Sequence, residues 1–318
     1  MSGKPSPNCH KGAQNAKTFK YNIIYVDWKI SWQKQPFKND LKLIIDQGYN
    51  IIMLAFMLGG HLTQDHKDAL SVWITVLNDQ DRQEILNYAH SKNAKILLSL
   101  GGGTDHLDGP GGVIAEKKGA DYAELACDLV LKWGLDGLDF DLELSPANNR
   151  PFLSGEMQEF LSSSLEKARE ILPKSQGYLI SHAPMGPYVS DWADRARGYT
   201  SWMLKNQDNI DFLSIQYYNQ HDYTTYETIF LKSHKYPGSS VKELIEAGIS
   251  SEKIVVGKPL TLKDANNGYI EVEQLAEWGC RANKEIGFIG GYMTWMFHND
   301  NREASEVWAR KLNRNCEC

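Results

Sequence analysis

Eight short apolar runs, each followed by a longer amphipathic stretch, restrict this chain to very few architectures. The runs cover residues 22–26, 50–56, 95–100, 137–143, 178–183, 212–218, 253–257 and 288–295. They are nearly continuous in apolar residues, as expected of strands covered on both faces. Between them apolar residues recur three and four apart, most clearly over 81–91, 122–133, 157–172, 241–247 and 272–284, which predicts amphipathic helices. A last helix is predicted over about 303–312. Eight strands alternating with helices point to the α/β class and a parallel (β/α)8 TIM barrel rather than an open sheet. No linker rich in Pro, Gly or Ser divides the chain, no repeat of 20–50 residues is present, and the 258–271 stretch is too short for an inserted domain. One domain is expected, a barrel over 19–318 behind a polar tail over 1–18. The Gly-rich segment 101–112 follows the third strand and is expected to form a βα-loop on the face where barrels carry their sites.

Composition narrows the function classes. With 318 residues, 42% apolar and 23% charged, the chain can bury a large core. A net charge of −6 without a basic stripe argues against a nucleic-acid partner. No run of about 18 apolar residues exists to span a membrane. The first 18 residues lack the apolar core of a secretory signal. Localisation is therefore open: secreted if a leader has been removed from the chain, cytoplasmic otherwise. Cys9, Cys127, Cys280, Cys316 and Cys318 are an odd, sparse set that does not suggest a disulfide framework. Cys127 reads as a buried small hydrophobe, and whether Cys9 pairs with Cys316 or Cys318 stays open. His61 with His66, and His106 near Asp105 and Asp108, lack metal-ligand spacing. Gly101-Gly102-Gly103 lacks the lysine of a phosphate loop. Neither a metal nor a cofactor is expected.

The chemistry concentrates in Leu135-Asp136-Gly137-Leu138-Asp139-Phe140-Asp141-Leu142-Glu143. On a strand, residues two apart share a face, so Asp139, Asp141 and Glu143 point one way and Leu138, Phe140 and Leu142 the other. In a barrel the acidic face points inward. Burial and like charge both oppose ionisation of three such carboxylates, so at least one holds a proton near neutral pH. That is what a general acid requires. A half-exposed antiparallel strand with its acids in solvent would conflict with the βα pattern on either side. Asp136, at the strand's start, reads as structural.

These residues carry a resemblance. Asp136, Asp139, Asp141 and Glu143 match the D-x-x-D-x-D-x-E signature of the family 18 glycoside hydrolases, which include chitinases and endo-β-N-acetylglucosaminidases. Ser99-Leu100-Gly101-Gly102 resembles the family's S-x-G-G motif, and Ala183-Pro184-Met185 its strand-five segment. Gln216-Tyr217-Tyr218-Asn219 is similar to the Q-[FY]-Y-N of the compact plant and fungal chitinases, and Gly290-Gly291-Tyr292-Met293-Thr294-Trp295 to the strand-eight G-G-x-M-x-W. The markers run in the family's order from about Tyr25 to Trp295.

The resemblance implies a retaining glycosidase whose substrate supplies the nucleophile, a recognised exception to the two-carboxylate scheme. Glu143 is the implied proton donor and later the base. Asp141 is the implied partner of the acetamido N–H, and Asp139 shares a proton with Asp141 while accepting a hydrogen bond from Ser99. By the period of two, Gln216 and Tyr218 point inward together. Tyr218 is the implied hydroxyl on the acetamido oxygen, and Asn219 a further polar contact. Trp295 is the implied floor under the sugar, with Tyr25, Phe56, Gly101, Gly102 and Met185 lining the pocket. Non-proline cis peptides are expected at Ala55–Phe56 and Trp295–Met296. Core packing accounts for most of the nine Trp and fifteen Tyr, and packing competes with an outer-subsite role for Trp28, Trp32 and Trp192.

The implied substrate is chitin or its N-acetylglucosamine oligosaccharides, cleaved in endo fashion by a monomer. One rival reading is an endo-β-N-acetylglucosaminidase acting on N-glycans. Another is a non-catalytic sugar-binding or inhibitor protein on the same barrel. The intact set of Asp139, Asp141 and Glu143 favours an enzyme over the latter.

Overall fold

In this computed structural model, which describes residues 19–27, 33–59, 69–105, 118–143, 155–190 and 199–312, the eight apolar runs pair in parallel and in chain order. The strands are β1 (Tyr21–Val26), β2 (Ile51–Met57), β3 (Lys95–Gly101), β4 (Gly137–Asp141), β5 (Leu179–His182), β6 (Phe212–Gln216), β7 (Ile254–Pro259) and β8 (Gly291–Phe297). β8 pairs with β1, so the sheet closes into the expected (β/α)8 barrel. The helices are α1 (Lys34–Gln47), α2 (Ala69–Thr75), α3 (Asp79–Ser91), α4 (Gly119–Trp133), α5 (Gly155–Ile171), α6 (Tyr199–Asn206), α7 (Val241–Glu246), α8 (Val272–Ile286) and α9 (Arg302–Leu312).

Strand alternation sorts the buried side chains into two layers. Ile24, Ile52, Leu98, Ile215 and Val256 pack outward against the helices. Ile23, Tyr25, Met53, Leu97, Val255 and Met293 fill the barrel interior. Both layers are apolar, which is why the strands read as continuous runs.

Boundaries moved where local chemistry outweighs periodicity. α3 starts at Asp79 because Asn78 caps it, accepting from Asp81 N–H while the Asp81 carboxylate accepts from Asn78 N–H. β4 and β6 end at Asp141 and Gln216, two residues short of the predicted ends, and β8 starts at Gly291 instead of residue 288. At β4 the ladders stop at Gly101 opposite Asp141 and at Phe140 opposite His182. At β6 the ladder to β7 stops at Gln216 opposite Gly257. Glu143 and Tyr218 therefore lie just past the sheet, at its C-terminal mouth.

One expectation from the cysteines is corrected. Cys280 is disulfide-bonded, although the sparse set gave no sign of a framework; spacing along the chain carries no information about proximity in space. Cys127 is free and buried, as predicted. Cys9, Cys316 and Cys318 lie outside the described residues, as do His61, His66, His106 and Asp108. Among the described residues no helix is long and apolar enough to cross a membrane, and no group of three or more His, Cys, Asp or Glu could hold a metal ion.

His182 faces outward from β5, 2% exposed, with its ring stacked on Phe140 at 4.9 Å and against Trp202 at 5.2 Å. Its Nε2 has no partner among the described residues. Burial alone pulls its pKa from 6.5 down to about 3, because the apolar surroundings disfavour the cation. The folded protein therefore binds fewer protons here than the unfolded chain between those two values. The contribution of this group to stability is complete above about 6.5 and is lost as pH falls toward 3. In thermal melts from pH 7 to pH 4, His182→Leu should lose less melting temperature than the parent; equal losses would show that His182 does not titrate on unfolding.

Candidate active site

The site is assembled where β3, β4, β5 and β6 end. Asp139 is fully buried and accepts three hydrogen bonds: from Tyr25 Oη at 2.6 Å and Ser99 Oγ at 2.8 Å on one oxygen, and from Ser181 Oγ at 2.7 Å on the other. Strand register delivers two of these donors, since Ser99 and Ser181 are the β3 and β5 partners of Asp139. Burial raises the Asp139 pKa, and the hydroxyl donors hold part of that rise back.

Two residues on, Asp141 is 3% exposed, and Glu143 is half-buried at the cleft. Gln216 links them: its Nε2 donates to Asp141 Oδ1 at 2.8 Å and to Glu143 Oε1 at 3.1 Å, and also reaches the Ala183 carbonyl at 3.1 Å. The Asp141 carboxyl is pushed well above its ordinary range by burial first, then by the charges of Glu143 and Asp139. Burial also raises Glu143. A carboxyl raised above its ordinary range and only half-buried has the character that general acid work requires.

Aromatic rings face this acidic row. Trp295 is half-buried, with Phe56 stacked on it at 5.8 Å and Tyr25 at 5.7 Å. The Ala55–Phe56 and Trp295–Met296 peptides are both cis, as expected. At each of them two consecutive residues join the interior cluster, so alternation is broken there. Tyr218 belongs to the same cluster, with its hydroxyl pKa raised by burial and by the charges of Asp141 and Glu143.

The glycines at the end of β3 and just past it bring the backbone close. A Cβ on Gly102, at φ +84°, would meet the Phe56 ring at 2.7 Å, and its N–H donates to the Asp141 carbonyl at 2.6 Å. Only glycine supplies both that conformation and that clearance. Gly101 also lies against Asp141.

Of the remaining candidates, Met185 forms an isolated bridge to Gln216 beside the site. Asn219 is exposed, with Oδ1 accepting from Asn266 N–H at 2.8 Å, so its side chain is engaged by the loop after β7. Tyr25 is 1% exposed and commits its hydroxyl to Asp139. Trp28, Trp32 and Trp192 lie outside the described residues. Asp136, read as structural, accepts from Ile96 N–H and pairs with His90. Sequence reasoning missed Ser181, although its spacing from Ala183 was signal enough. It also missed Gly103, where an added Cβ would come within 3.2 Å of Glu143 Oε2.

A family model described as Glycosyl hydrolases family 18 matches residues 22–310. Chitinase 3 of Candida albicans is 24% identical over 235 residues, covering 69% of this chain. The chain spans only 36% of that relative's length. Among solved structures, a GH18 chitinase from Pseudoalteromonas aurantia superposes with a TM-score of 0.69 at 24% identity, covering 92% of this chain and 100% of that one. A fungal endo-β-N-acetylglucosaminidase of the same family gives 0.65 at 18% identity, covering 91% and 97%. At these identities the likeness is one of fold.

Proposed function

Because the chain belongs to family 18 of the glycosyl hydrolases, we propose that it hydrolyses β-1,4-linked N-acetylglucosamine polymers, chitin and chitooligosaccharides, with net retention and with the substrate's acetamido group as nucleophile. The observation that carries this reading is the unequal exposure of the two linked carboxyls. Glu143 opens to the cleft, whereas Asp141 is 3% exposed and tied to Gln216. So deep a carboxylate, held by Gln216, argues against a nucleophile of the covalent two-carboxylate route. It is well placed to receive an N–H.

In this mechanism Glu143 protonates the glycosidic oxygen, and the acetamido oxygen attacks the anomeric carbon to form an oxazolinium ion. Glu143, now a base, activates the water that opens it. Asp141 accepts the acetamido N–H and gains strength as positive charge develops, a stabilisation specific to the transition state. Tyr218 donates to the acetamido oxygen, and Trp295 carries the apolar face of the sugar.

The first product should be the β-anomer, and an oxazoline-mimicking thiazoline should inhibit competitively. Fresh α-anomer in proton NMR would exclude neighbouring-group participation on a β-linked substrate. The same chemistry on N-glycan cores is the second reading, favoured by the fold shared with a fungal endo-β-N-acetylglucosaminidase. Product analysis on chitin oligosaccharides beside a high-mannose glycopeptide separates the two.

A further inference from the structure

A lysine is buried behind the site and, among the described residues, has no acidic partner in hydrogen-bond contact. Lys258, near the end of β7, is 0% exposed. It follows the outward-facing Val256 by two residues, so it points away from the barrel interior and from the substrate. Its Nζ donates to three backbone carbonyls: Tyr217 at 2.6 Å, Tyr223 at 2.6 Å and Gly268 at 3.0 Å. An ammonium has three protons, and all three are used. Burial pulls its pKa down to about 7, with Asp222 opposing the fall. A charge is costly to hold in such a place, and a packed apolar side chain would do for stability alone.

The three carbonyls belong to the two chain segments that enclose Tyr218. The Tyr217 carbonyl is part of the peptide that enters Tyr218. Gly268, at φ +97°, lies so close that an added Cβ would stand 2.7 Å from Tyr218 Cα. Immediately after Tyr218, Asn219 N–H donates to the Asn267 carbonyl at 3.1 Å. Tyr218 itself lies past the β6 ladder, whose last bond runs from Tyr217 N–H to the Gly257 carbonyl at 3.2 Å, so the sheet fixes the chain only up to Tyr217. The lysine takes over that task, by clamping the peptide before Tyr218 to the Gly268 backbone that presses on it.

We propose that Lys258 is a positioning residue for the Tyr218 hydroxyl, acting on the acetamido group without touching substrate. This rests on the role given to Tyr218 under the proposed mechanism. A hydroxyl displaced by a fraction of an ångström still binds the sugar but no longer aligns the attacking oxygen, so the loss should fall on kcat.

The test is a double-mutant cycle on a chromogenic N-acetylchitooligosaccharide, with Lys258→Met, Tyr218→Phe and the pair. Lys258→Met should lower kcat about tenfold and leave KM within about twofold. In the Tyr218→Phe background the same change should cost nothing further, because no hydroxyl remains to misplace. Equal losses in both backgrounds would reduce Lys258 to a structural residue and overturn the proposal, with the mechanism intact. A Tyr218→Phe variant as active as the parent would instead remove the hydroxyl's role, and the proposal with it. Should Lys258→Met fail to fold, Lys258→Gln, which keeps two donors, enters the same cycle and is judged by the same two outcomes.

Discussion

Glu143→Gln should bind chitooligosaccharides within a few-fold of the parent and turn them over at least about 10²-fold more slowly. The amide preserves the shape of the side chain and can still meet Gln216, but it has no proton to transfer. The expected loss is large because in the proposed mechanism Glu143 acts twice, as acid in the first step and base in the second, so both barriers rise. Its burial-raised pKa also predicts the pH profile. Activity should fall on the alkaline side as the acid loses its proton, and that limb should vanish with Glu143. Turnover is measured on chitooligosaccharides, and binding by calorimetry on the inactive variant. Retained turnover would move the proton donor elsewhere in the cleft and remove the basis for the assignment.

The acidic strand was legible because the period of two is geometric. Asp139, Asp141 and Glu143 are on one face by spacing alone, and the β4 ladder keeps that face through Asp141. The same rule brought in Gln216, whose amide does join two of them. What escaped is what depends on neighbours distant in sequence. Tyr25 read as a pocket wall, yet its hydroxyl is committed to Asp139, a partner 114 residues away. Lys258 carries no signal in the sequence, and only the fold of two loops shows that three carbonyls await it. Asn219 lies at a bend with φ +67°, where alternation no longer dictates direction. α6 is short, and α2 lies between β2 and α3 where a second helix was not expected; neither carries enough turns for a clear periodic signal. The barrel itself was easier, because eight repetitions of one unit reinforce each other even when single boundaries shift by two or three residues.

Asp141→Asn should separate catalysis from stability in opposite directions. The side chain keeps an oxygen for Gln216 and loses the charge that, in the proposed mechanism, strengthens its hold on the acetamido N–H as the oxazolinium forms. kcat should fall on the order of 10²-fold, as for loss of one preorganised electrostatic group, with KM little changed. A raised KM with kcat intact would mean that Asp141 only binds substrate. Stability should move the other way. In the folded protein Asp141 keeps its proton well above its ordinary value of 3.8, because burial and the charges of Glu143 and Asp139 oppose ionisation. The folded state thus binds more protons here than the unfolded chain once pH exceeds about that value. The stability contributed by this group is complete below it and declines as pH rises toward the folded-state pKa. Asparagine has no proton to lose, so the variant's advantage in melting temperature should be small near pH 3.5 and grow toward pH 7. A difference that stays constant across that range would show that Asp141 ionises as easily in the barrel as in the unfolded chain. The price of a carboxyl tuned for catalysis would then have to lie in another residue of the strand.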